Sequence, residues 1–266
     1  MKDCPICHSE MDFIFSEPVL RKHEVKYYCC GSCQFIQTEK PYWLEEAYSD
    51  AIADSDTGIL HRNWLISCKL AVLILLSLGK RNLFLDIAGG YGLLVRLMRD
   101  FGFNYRWSDP YCKNIFALGY EASPLSTDRY QALTAFEVLE HVESPIDFIS
   151  ENLQKFNSGI FIFSTELFQN YKVPKRSWRY YSFPTGQHIS FYSQRALEEI
   201  SKKLAMHFYT FGGIYIFSKD KLSFVWLVRL LTARKASIAL SLFFGCFLKS
   251  KTVEDSQHVL HHGIKK

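Results

Sequence analysis

The sequence predicts an α/β protein whose core is a mainly parallel sheet, preceded by a small metal-binding module. From residue 80 onward, short apolar runs that suit buried strands alternate with segments of helical periodicity, which is typical of a parallel sheet covered by helices. Before that region, four of the eight cysteines form two Cys-x-x-Cys pairs. Apolar residues make up 48% of the 266 residues and charged residues 22%, which allows a packed core and excludes extensive disorder.

The net charge of +4 is unevenly distributed along the chain. From Lys219 to the end there are nine Lys or Arg against three Asp or Glu, whereas the preceding residues carry a net charge of −2. This distribution argues against a protein that coats nucleic acid. No secretory signal opens the sequence, and the apolar runs at 64–78 and 236–248 are shorter than the roughly 20 residues of a membrane span, so a cytoplasmic protein is expected.

The first 45 residues are predicted to form a zinc-ribbon-like module. Cys4 and Cys7 are separated from Cys30 and Cys33 by 22 residues. So short a segment buries little core, and four thiolates on a tetrahedral Zn²⁺ would supply the missing stability. Cys29 is an alternative ligand to Cys30, but the spacing of Cys30 and Cys33 favours Cys30. Four thiolates close the coordination shell, so the zinc is predicted to be structural.

Ahead of the sheet domain, the sequence predicts short strands and two helices. Alternation of apolar and polar residues predicts strands at 13–15 and 25–28, within the metal module. Pro41 begins a helical stretch, and a polar segment joins it to a second helix at 59–78. Residues 46–79 are therefore predicted to form a helical lid or linker.

Residues 80–218 are predicted to form the sheet domain. Strands are expected at 83–87, 105–108, 132–136 and 159–164, with helices at 92–101 and 112–118 between them. The stretch Ser144-Pro-Ile-Asp147 predicts a capping box with proline at the first helical position, opening a helix that reaches about residue 156. Ser193 is expected to cap a helix to about residue 206, and a hairpin at 207–211 and 214–218 completes the sheet.

The basic C-terminal extension, residues 219–266, is predicted to be helical. Two apolar helices are expected at 224–231 and 236–248, with Arg229, Arg234 and Lys235 at their junction. Such helices can pack on the core or on a second subunit, and the sequence favours this packing. Contact with an anionic membrane surface is the alternative, because basic amphipathic helices bind such surfaces.

The most informative stretch is the loop of small residues that follows the strand at 83–87. Small residues are needed where a ligand approaches backbone N–H groups at the start of a helix. A dinucleotide fingerprint starting at Gly90 would require Gly or Ala at Val95, and the Gly-Lys-Ser/Thr of a phosphate-binding loop is missing. The loop instead joins an acidic residue to small residues at alternate positions, with a further glycine between them: Asp86, Ala88, Gly89, Gly90 and Gly92.

This pattern resembles the first motif of the class I S-adenosylmethionine-dependent methyltransferases, with Ala88 in place of the first glycine. The resemblance implies a Rossmann-like fold with a mostly parallel, seven-stranded sheet. It also implies that Asp86 lies near the amino-acid portion of the methyl donor, while the loop backbone packs on its methionine and ribose. Asp109, 23 residues after Asp86 at the end of the next strand, matches the carboxylate that accepts the ribose hydroxyls.

A second resemblance to the same family lies at the end of the fourth predicted strand. The stretch Ala135-Phe-Glu-Val-Leu-Glu-His-Val142 is similar to the point where the family's chain passes the bound donor. The resemblance implies that Phe136 and Glu137 line the donor site.

Two histidines are the candidate catalytic residues. Methyl transfer is an in-line displacement at a sulfonium carbon, so the enzyme must position the acceptor and remove its proton. His141 follows the fourth strand. His188, in the segment 185–193, resembles the histidine in the Glu-His-aromatic stretch of sugar C-methyltransferases, which also carry an N-terminal four-cysteine zinc module. Gln187 stands where those enzymes carry the acid, which leaves O-methylation assisted by His188 open.

The resemblance implies an S-adenosylmethionine-dependent methyltransferase of a small polar acceptor, such as a nucleotide sugar or a surface-polysaccharide precursor. One alternative is an RNA methyltransferase with a zinc clamp, but residues 1–45 carry five Lys or Arg against seven Asp or Glu, and phosphate binding requires the opposite sign. The other is a donor-binding scaffold without catalysis, which the presence of Asp86, Asp109 and His188 disfavours.

Overall fold

The computed structural model describes residues 2–48, 56–123, 128–169, 171–245 and 247–262. Its strands in these ranges are β1 (Lys2–Asp3), β2 (Glu10–Val19), β3 (His23–Cys30), β4 (Ile36–Thr38), β5 (Leu83–Ile87), β6 (Asn104–Ser108), β7 (Ala132–Phe136), β8 (Ile160–Ser164), β9 (Leu167–Phe168), β10 (Ser190–Ser193), β11 (His207–Phe211) and β12 (Ile214–Ser218). Its helices are α1 (Leu44–Ala47), α2 (Ile59–Leu73), α3 (Leu93–Asp100), α4 (Pro145–Lys155), α5 (Gln194–Lys203), α6 (Val225–Leu231), α7 (Arg234–Gly245) and α8 (Thr252–His262).

The central sheet has the strand order β11-β12-β8-β7-β5-β6. Strands β6, β5, β7 and β8 run parallel, while β12 is antiparallel to β8 and β11 is antiparallel to β12. The predicted α/β architecture is therefore confirmed. The sheet has six strands in the described ranges, where seven were predicted. Beyond β6 the pairing continues as an isolated bridge between Trp107 and Glu121.

The short helix predicted at 112–118 is wrong, because local side chains take the hydrogen bonds of a helix. One oxygen of Asp109 accepts from the backbone N–H groups of Tyr111 and Cys112 at 2.8 and 2.9 Å. The Asn114 side chain both accepts from the N–H and donates to the carbonyl of Ala117, at 2.9 and 2.8 Å. Such side-chain bonds favour turns over helix, and turns are what this stretch forms.

The ends of the helices follow the predicted signals, with one exception. Ser193 caps α5, since its hydroxyl accepts from the N–H of Ala196 at 3.1 Å. Helix α4 begins at Pro145, as predicted, but Ser144 makes no side-chain cap hydrogen bond within the described part of the chain. The capping box is therefore wrong, and the proline, whose backbone is preset for the first helical position, begins the helix without it.

A second sheet joins the N-terminal residues to a distant part of the chain. Its order is β1-β2-β3-β4-β10-β9. Strand β10 is antiparallel to β4, with Ser190 opposite Gln37 and Phe191 opposite Ile36, and β9 is parallel to β10. Because β9 and β10 lie between β8 and α5 in the chain, this sheet fixes the segment that carries His188.

An aromatic cluster fills the space under this second sheet. Tyr27 stacks on Phe15 with the ring centroids 4.8 Å apart, and Tyr181 and Phe191 pack edge-on against each other at 4.9 Å. Tyr27, Tyr181 and Phe191 are fully buried. Burial of rings of this size is a large apolar contribution, which ties the loop before β10 to the N-terminal hairpin.

Helix α2 and the π-helical turn Ile74–Leu78 together form an unusually apolar helix. These 20 residues have a mean hydropathy of 1.6, which suffices in length and composition to cross a membrane. Leu70, Leu73 and Ile74 are buried in the core beside the central sheet. The helix packs against α3 and α7, so packing within the protein accounts for its high hydropathy.

The C-terminal helices α6 and α7 lie close to the predicted positions, and α8 is a further helix that the sequence analysis did not predict. Helix α8 docks on α3 through a bidentate ion pair, in which Asp255 accepts from Nε and Nη2 of Arg99 at 2.7 and 2.6 Å. Both side chains are buried. Trp226, Phe243 and Phe247 are exposed. Contact with a membrane surface stays the alternative to packing on a second subunit.

Candidate functional site

The loop of small residues lies at the carboxyl edge of the parallel strands, where α/β folds bind ligands. Ala88, Gly90 and Gly92 have positive φ angles of 52°, 55° and 87°. Glycine adopts this region freely, whereas Ala88 pays about 1 kcal/mol for it. A Cβ on Gly89 would lie 2.8 Å from Oδ2 of Asp86, so a side chain there would displace the carboxylate. The loop therefore needs small residues at these positions.

Asp86, the residue expected near the donor's amino-acid portion, ends β5 with its carboxyl group buried. Its Oδ1 accepts from the hydroxyl of Thr134 on β7 at 2.6 Å. Burial raises the pKa of Asp86 to about 7, and the negative charge of Asp109 adds to this increase. A cation next to this carboxyl would lower the pKa of Asp86 again, because it would stabilise the ionised form.

Asp109, the expected ribose ligand, joins the loop to the turn after β6. Its Oδ2 accepts from the N–H of Gly90 at 2.9 Å, and its Oδ1 accepts from the two N–H groups of the following turn. An ionised carboxylate offers about four acceptor positions. Three are taken, so Asp109 could accept from one further donor, on Oδ2, without breaking a bond that it makes here.

Phe136 and Glu137, expected to line the donor site, stand at the end of β7, next to β5 in the sheet. Phe136 packs against the core. Glu137 has a φ angle of 54°, its N–H donates to the hydroxyl oxygen of Ser164 at 3.2 Å, and that hydroxyl donates to its carboxylate. The structure thus brings Asp86, Asp109 and Glu137 to the ends of three neighbouring strands.

The two candidate catalytic histidines lie together, with their ring centroids 4.9 Å apart. Nδ1 of His141 is 3.0 Å from the Gln187 carbonyl oxygen, and Nδ1 of His188 is 2.7 Å from the Tyr180 carbonyl oxygen. Because a carbonyl only accepts, each Nδ1 carries the proton and each neutral ring keeps a lone pair on Nε2. Burial lowers the pKa of both, that of His141 to about 3. Both imidazoles are therefore neutral near pH 7.

Glu140 is a site residue that the sequence analysis missed. It is fully buried on a 3₁₀ turn, and its Oε1 accepts from the Tyr180 hydroxyl at 2.6 Å. Burial raises its pKa to about 8, and the charge of Glu137 contributes. One carboxylate oxygen of Glu140 and one nitrogen each of His141 and His188 all lie within 4.8 Å of one another. A carboxyl group therefore lies beside the two histidines, although Gln187 is an amide.

Gln187 has a positioning role instead. Its side-chain NH₂ donates to the carbonyl of Ala47 at 2.9 Å, which ties the histidine segment to α1. Trp43 reinforces this tie by donating its indole N–H to the carbonyl of Gly186 at 2.8 Å. The ring of Tyr48, just after α1, lies 6.1 Å from that of His141. Helix α1 therefore borders the histidine pair.

The four cysteines of the predicted zinc site form a compact cluster. The sulfurs of Cys4 and Cys33 are 3.5 Å apart, those of Cys7 and Cys30 are 3.4 Å apart, and all four lie within 4.8 Å. Tetrahedral Zn²⁺ with bonds of about 2.3 Å places its sulfurs about 3.8 Å apart, so the cluster fits this ion. The cluster, as formed by the described residues, does not include Cys29.

Residues 66–204, more than half of the chain, match the family model described as a methyltransferase domain. No curated protein matches. An O-methyltransferase family protein from Burkholderia thailandensis is similar, with a TM-score of 0.44 and 9% sequence identity. The match covers 61% of this chain and 57% of the Burkholderia protein, so this chain spans little more than half the length of that relative. Magnesium protoporphyrin IX methyltransferase from Synechocystis, with bound S-adenosylhomocysteine, has a TM-score of 0.42 and 14% identity over 66% and 92%.

The family match spans the loop after β5, the ends of β6 and β7, and both histidines. These are the parts of the chain in which the sequence resembled the class I enzymes. The chain therefore belongs to the methyltransferase-domain family.

Proposed function

We propose that this enzyme methylates a hydroxyl group of a small polar acceptor, such as a nucleotide sugar or a surface-polysaccharide precursor. The observation that carries the proposal is the pair of neutral histidines, each with a free Nε2 lone pair. His141 follows the end of β7, and His188, just before β10, lies beside it. A hydroxyl must lose its proton to attack the methyl carbon, and neutral imidazoles are suited to activate it. His188 and His141 are accordingly the proposed catalytic residues.

The residues after β5 and β6 would hold the donor, which supplies an electrophilic methyl group on its sulfonium. The buried Asp86 carboxyl would pair with the donor's ammonium group, whose charge would favour ionisation of this aspartate. The acceptor position left on Oδ2 of Asp109 would take a ribose hydroxyl. The loop from Ala88 to Gly92 would give the donor access to the backbone, with Phe136 and Glu137 at its side.

The cysteine cluster is proposed to hold a structural zinc ion. The sulfur separations support this, and four thiolates leave no open coordination position. The ion would fix the base of the hairpin β2–β3, whose neighbour β4 pairs with β10. The domain boundaries predicted from the sequence, at residues 45, 79 and 218, are part of the same proposal. The N-terminal module would support the active site through the shared sheet.

Donor binding is tested by thermal unfolding with and without S-adenosylhomocysteine. A ligand at 100 times its dissociation constant stabilises the folded state by about 2.7 kcal/mol, so the wild-type melting temperature should rise. Asp109→Ala should lose most of this rise, while Asp220→Ala, an exposed aspartate far along the chain, should keep it. The melting temperature of each variant with ligand is compared with that of the same variant without ligand, so any effect of the substitution on the ligand-free protein cancels. Absence of a rise with wild type at roughly 1 mM ligand would contradict donor binding.

The acceptor class is tested by transfer of a labelled methyl group to a set of nucleotide sugars, with ribosomal RNA as the competing substrate. Incorporation into a nucleotide sugar, lost in His188→Ala, is the expected result. Incorporation into RNA alone would support the zinc-clamp alternative and overturn the proposed acceptor. The acidic N-terminal module makes that outcome unexpected, because RNA binding requires positive charge.

A further inference from the structure

Glu140, His141 and His188 form a cluster in which Glu140 is fully buried and the two histidines are half-buried. Among the described residues, Oε2 of Glu140 is a buried oxygen with no hydrogen-bond partner. The Nδ1 protons of both histidines are directed to backbone carbonyls, so the nitrogens that remain are acceptors as well. A buried carboxyl oxygen without a partner is costly, unless a proton or a cation lies next to it.

We propose that Glu140, His141 and His188 bind a divalent cation of the first transition series, which in turn binds the acceptor hydroxyl. The inference rests on the proposed function and deepens it, because it assigns how the histidines activate the acceptor. Two imidazoles and one carboxylate suit Zn²⁺, Mn²⁺, Fe²⁺ or Co²⁺. Three protein ligands also leave open positions for a substrate, as in catalytic rather than structural metal sites.

The surroundings of the three ligands support a metal site. Metal-bound histidines usually donate their second N–H to a carbonyl or carboxylate, which fixes the ring, and both histidines do so here. The Tyr180 hydroxyl holds Oε1 of Glu140 at 2.6 Å and is itself 3.0 Å from the Thr165 hydroxyl oxygen. Each ligand is therefore oriented by a partner outside the cluster, while Oε2 is left for the ion.

The distances require only small side-chain movements. An ion with bonds of about 2.1 Å places adjacent ligand atoms about 3.0 to 3.4 Å apart. One carboxylate oxygen of Glu140 and one ring nitrogen of each histidine lie within 4.8 Å of one another. Rotations of the three side chains that shorten these separations by roughly 1 Å would complete the coordination.

The cation would make the acceptor hydroxyl acidic. Bound Zn²⁺ lowers the pKa of water from 15.7 to about 7, and a bound hydroxyl is acidified in the same way. The O–H bond breaks and its proton passes to solvent water. The oxygen then forms a bond to the methyl carbon while the carbon–sulfur bond breaks, its electron pair going to sulfur. The products are a methyl ether, S-adenosylhomocysteine and a proton, and nothing is oxidised or reduced.

The test measures binding of Mn²⁺ by electron paramagnetic resonance, on protein loaded with about one equivalent of Zn²⁺, which the four thiolates of the cysteine cluster bind first. Mn²⁺ prefers oxygen and nitrogen ligands to thiolates, so it reports the Glu/His site. We expect about one Mn²⁺ per wild-type chain. Loss of an outer-shell partner alone costs about 10- to 100-fold in metal affinity, so Glu140→Gln and His188→Gln should cost at least about 100-fold. His207→Gln, at an exposed histidine on β11, is the matched control and should bind as wild type.

Binding of S-adenosylhomocysteine by each variant shows that it is folded. If wild type binds S-adenosylhomocysteine but none of Mn²⁺, Zn²⁺ or Co²⁺ beyond the cysteine cluster, the metal inference is wrong and the proposed function stands. Equal Mn²⁺ affinity in wild type and His188→Gln would also overturn it. If Glu140→Gln does not fold, the comparison of His188→Gln with His207→Gln decides alone. Binding of Mn²⁺ without any donor binding would keep the metal site and remove the proposed function.

Discussion

The buried carboxyl of Asp86 should make the donor-free protein less stable as pH rises. Burial raises the pKa of Asp86 to about 7 in the folded state, against about 3.9 in an unfolded chain. Between these values the folded state binds more protons than the unfolded state, so stability is lost as pH rises through this window. One pKa unit corresponds to about 1.4 kcal/mol, so ionisation of Asp86 costs on the order of 4 kcal/mol above pH 7.

Replacement Asp86→Asn removes this cost and keeps an oxygen that can accept from the Thr134 hydroxyl. The assay is urea unfolding of wild type and variant at pH 5 and pH 8. The free energy of unfolding of the variant, relative to that of the wild type, should be roughly 3 kcal/mol higher at pH 8 than at pH 5, because most of the cost of ionising Asp86 arises between these pH values. The same variant should lose the stabilisation by S-adenosylhomocysteine, since an amide cannot pair with the ligand's ammonium group.

Asp220→Asn is the control, because this aspartate is exposed and its substitution should change stability equally at both pH values. If the stability of wild type and of Asp86→Asn falls equally between pH 5 and pH 8, ionisation of Asp86 does not destabilise the folded state. The assignment of a buried, proton-binding carboxyl beneath the donor loop would then be refuted.

Three further substitutions test the N-terminal cysteine cluster and the docking of α8. Cys4→Ser should release zinc, measured by elemental analysis, and lower the melting temperature, whereas Cys29→Ser should retain the metal because its sulfur lies outside the cluster of the described residues. Zinc lost equally from both would contradict the cysteine assignment. Asp255→Asn should cost about 3–5 kcal/mol in urea unfolding, because it leaves the buried guanidinium of Arg99 without its charged partner. A loss below about 1 kcal/mol would show that α8 does not depend on this pair for docking.

Local signals allowed much of the central sheet to be predicted. Strands β5, β7, β11 and β12 begin and end at the predicted residues, because each is a short apolar run bounded by turn residues. The second sheet was not predicted, since β4, β9 and β10 have two to four residues each and pair over long sequence separations. Periodicity in so short a segment gives no information on its partner.

The candidate site shows the same limit. The cysteine cluster and the glycine loop are local motifs, and the sequence analysis found them. Glu140 is adjacent to His141 and was overlooked, because its importance depends on the approach of His188 from 48 residues away. The segment containing His188 is positioned by hydrogen bonds to Thr38, Ala47 and Trp43, which no spacing rule relates to it.

The pairing of β4 with β10 has a consequence for biosynthesis. Gln37 and Ser190 are 153 residues apart, and at 5–20 residues per second a ribosome needs roughly 8 to 30 s to make the intervening chain. During that time β4, at the edge of the sheet formed with β2 and β3, lacks its neighbour β10, and an uncovered strand edge is a template for aggregation. A zinc ion bound early would hold the nascent hairpin until β10 emerges. We therefore expect zinc depletion during expression to lower the yield of soluble enzyme more than the specific activity of the molecules that fold.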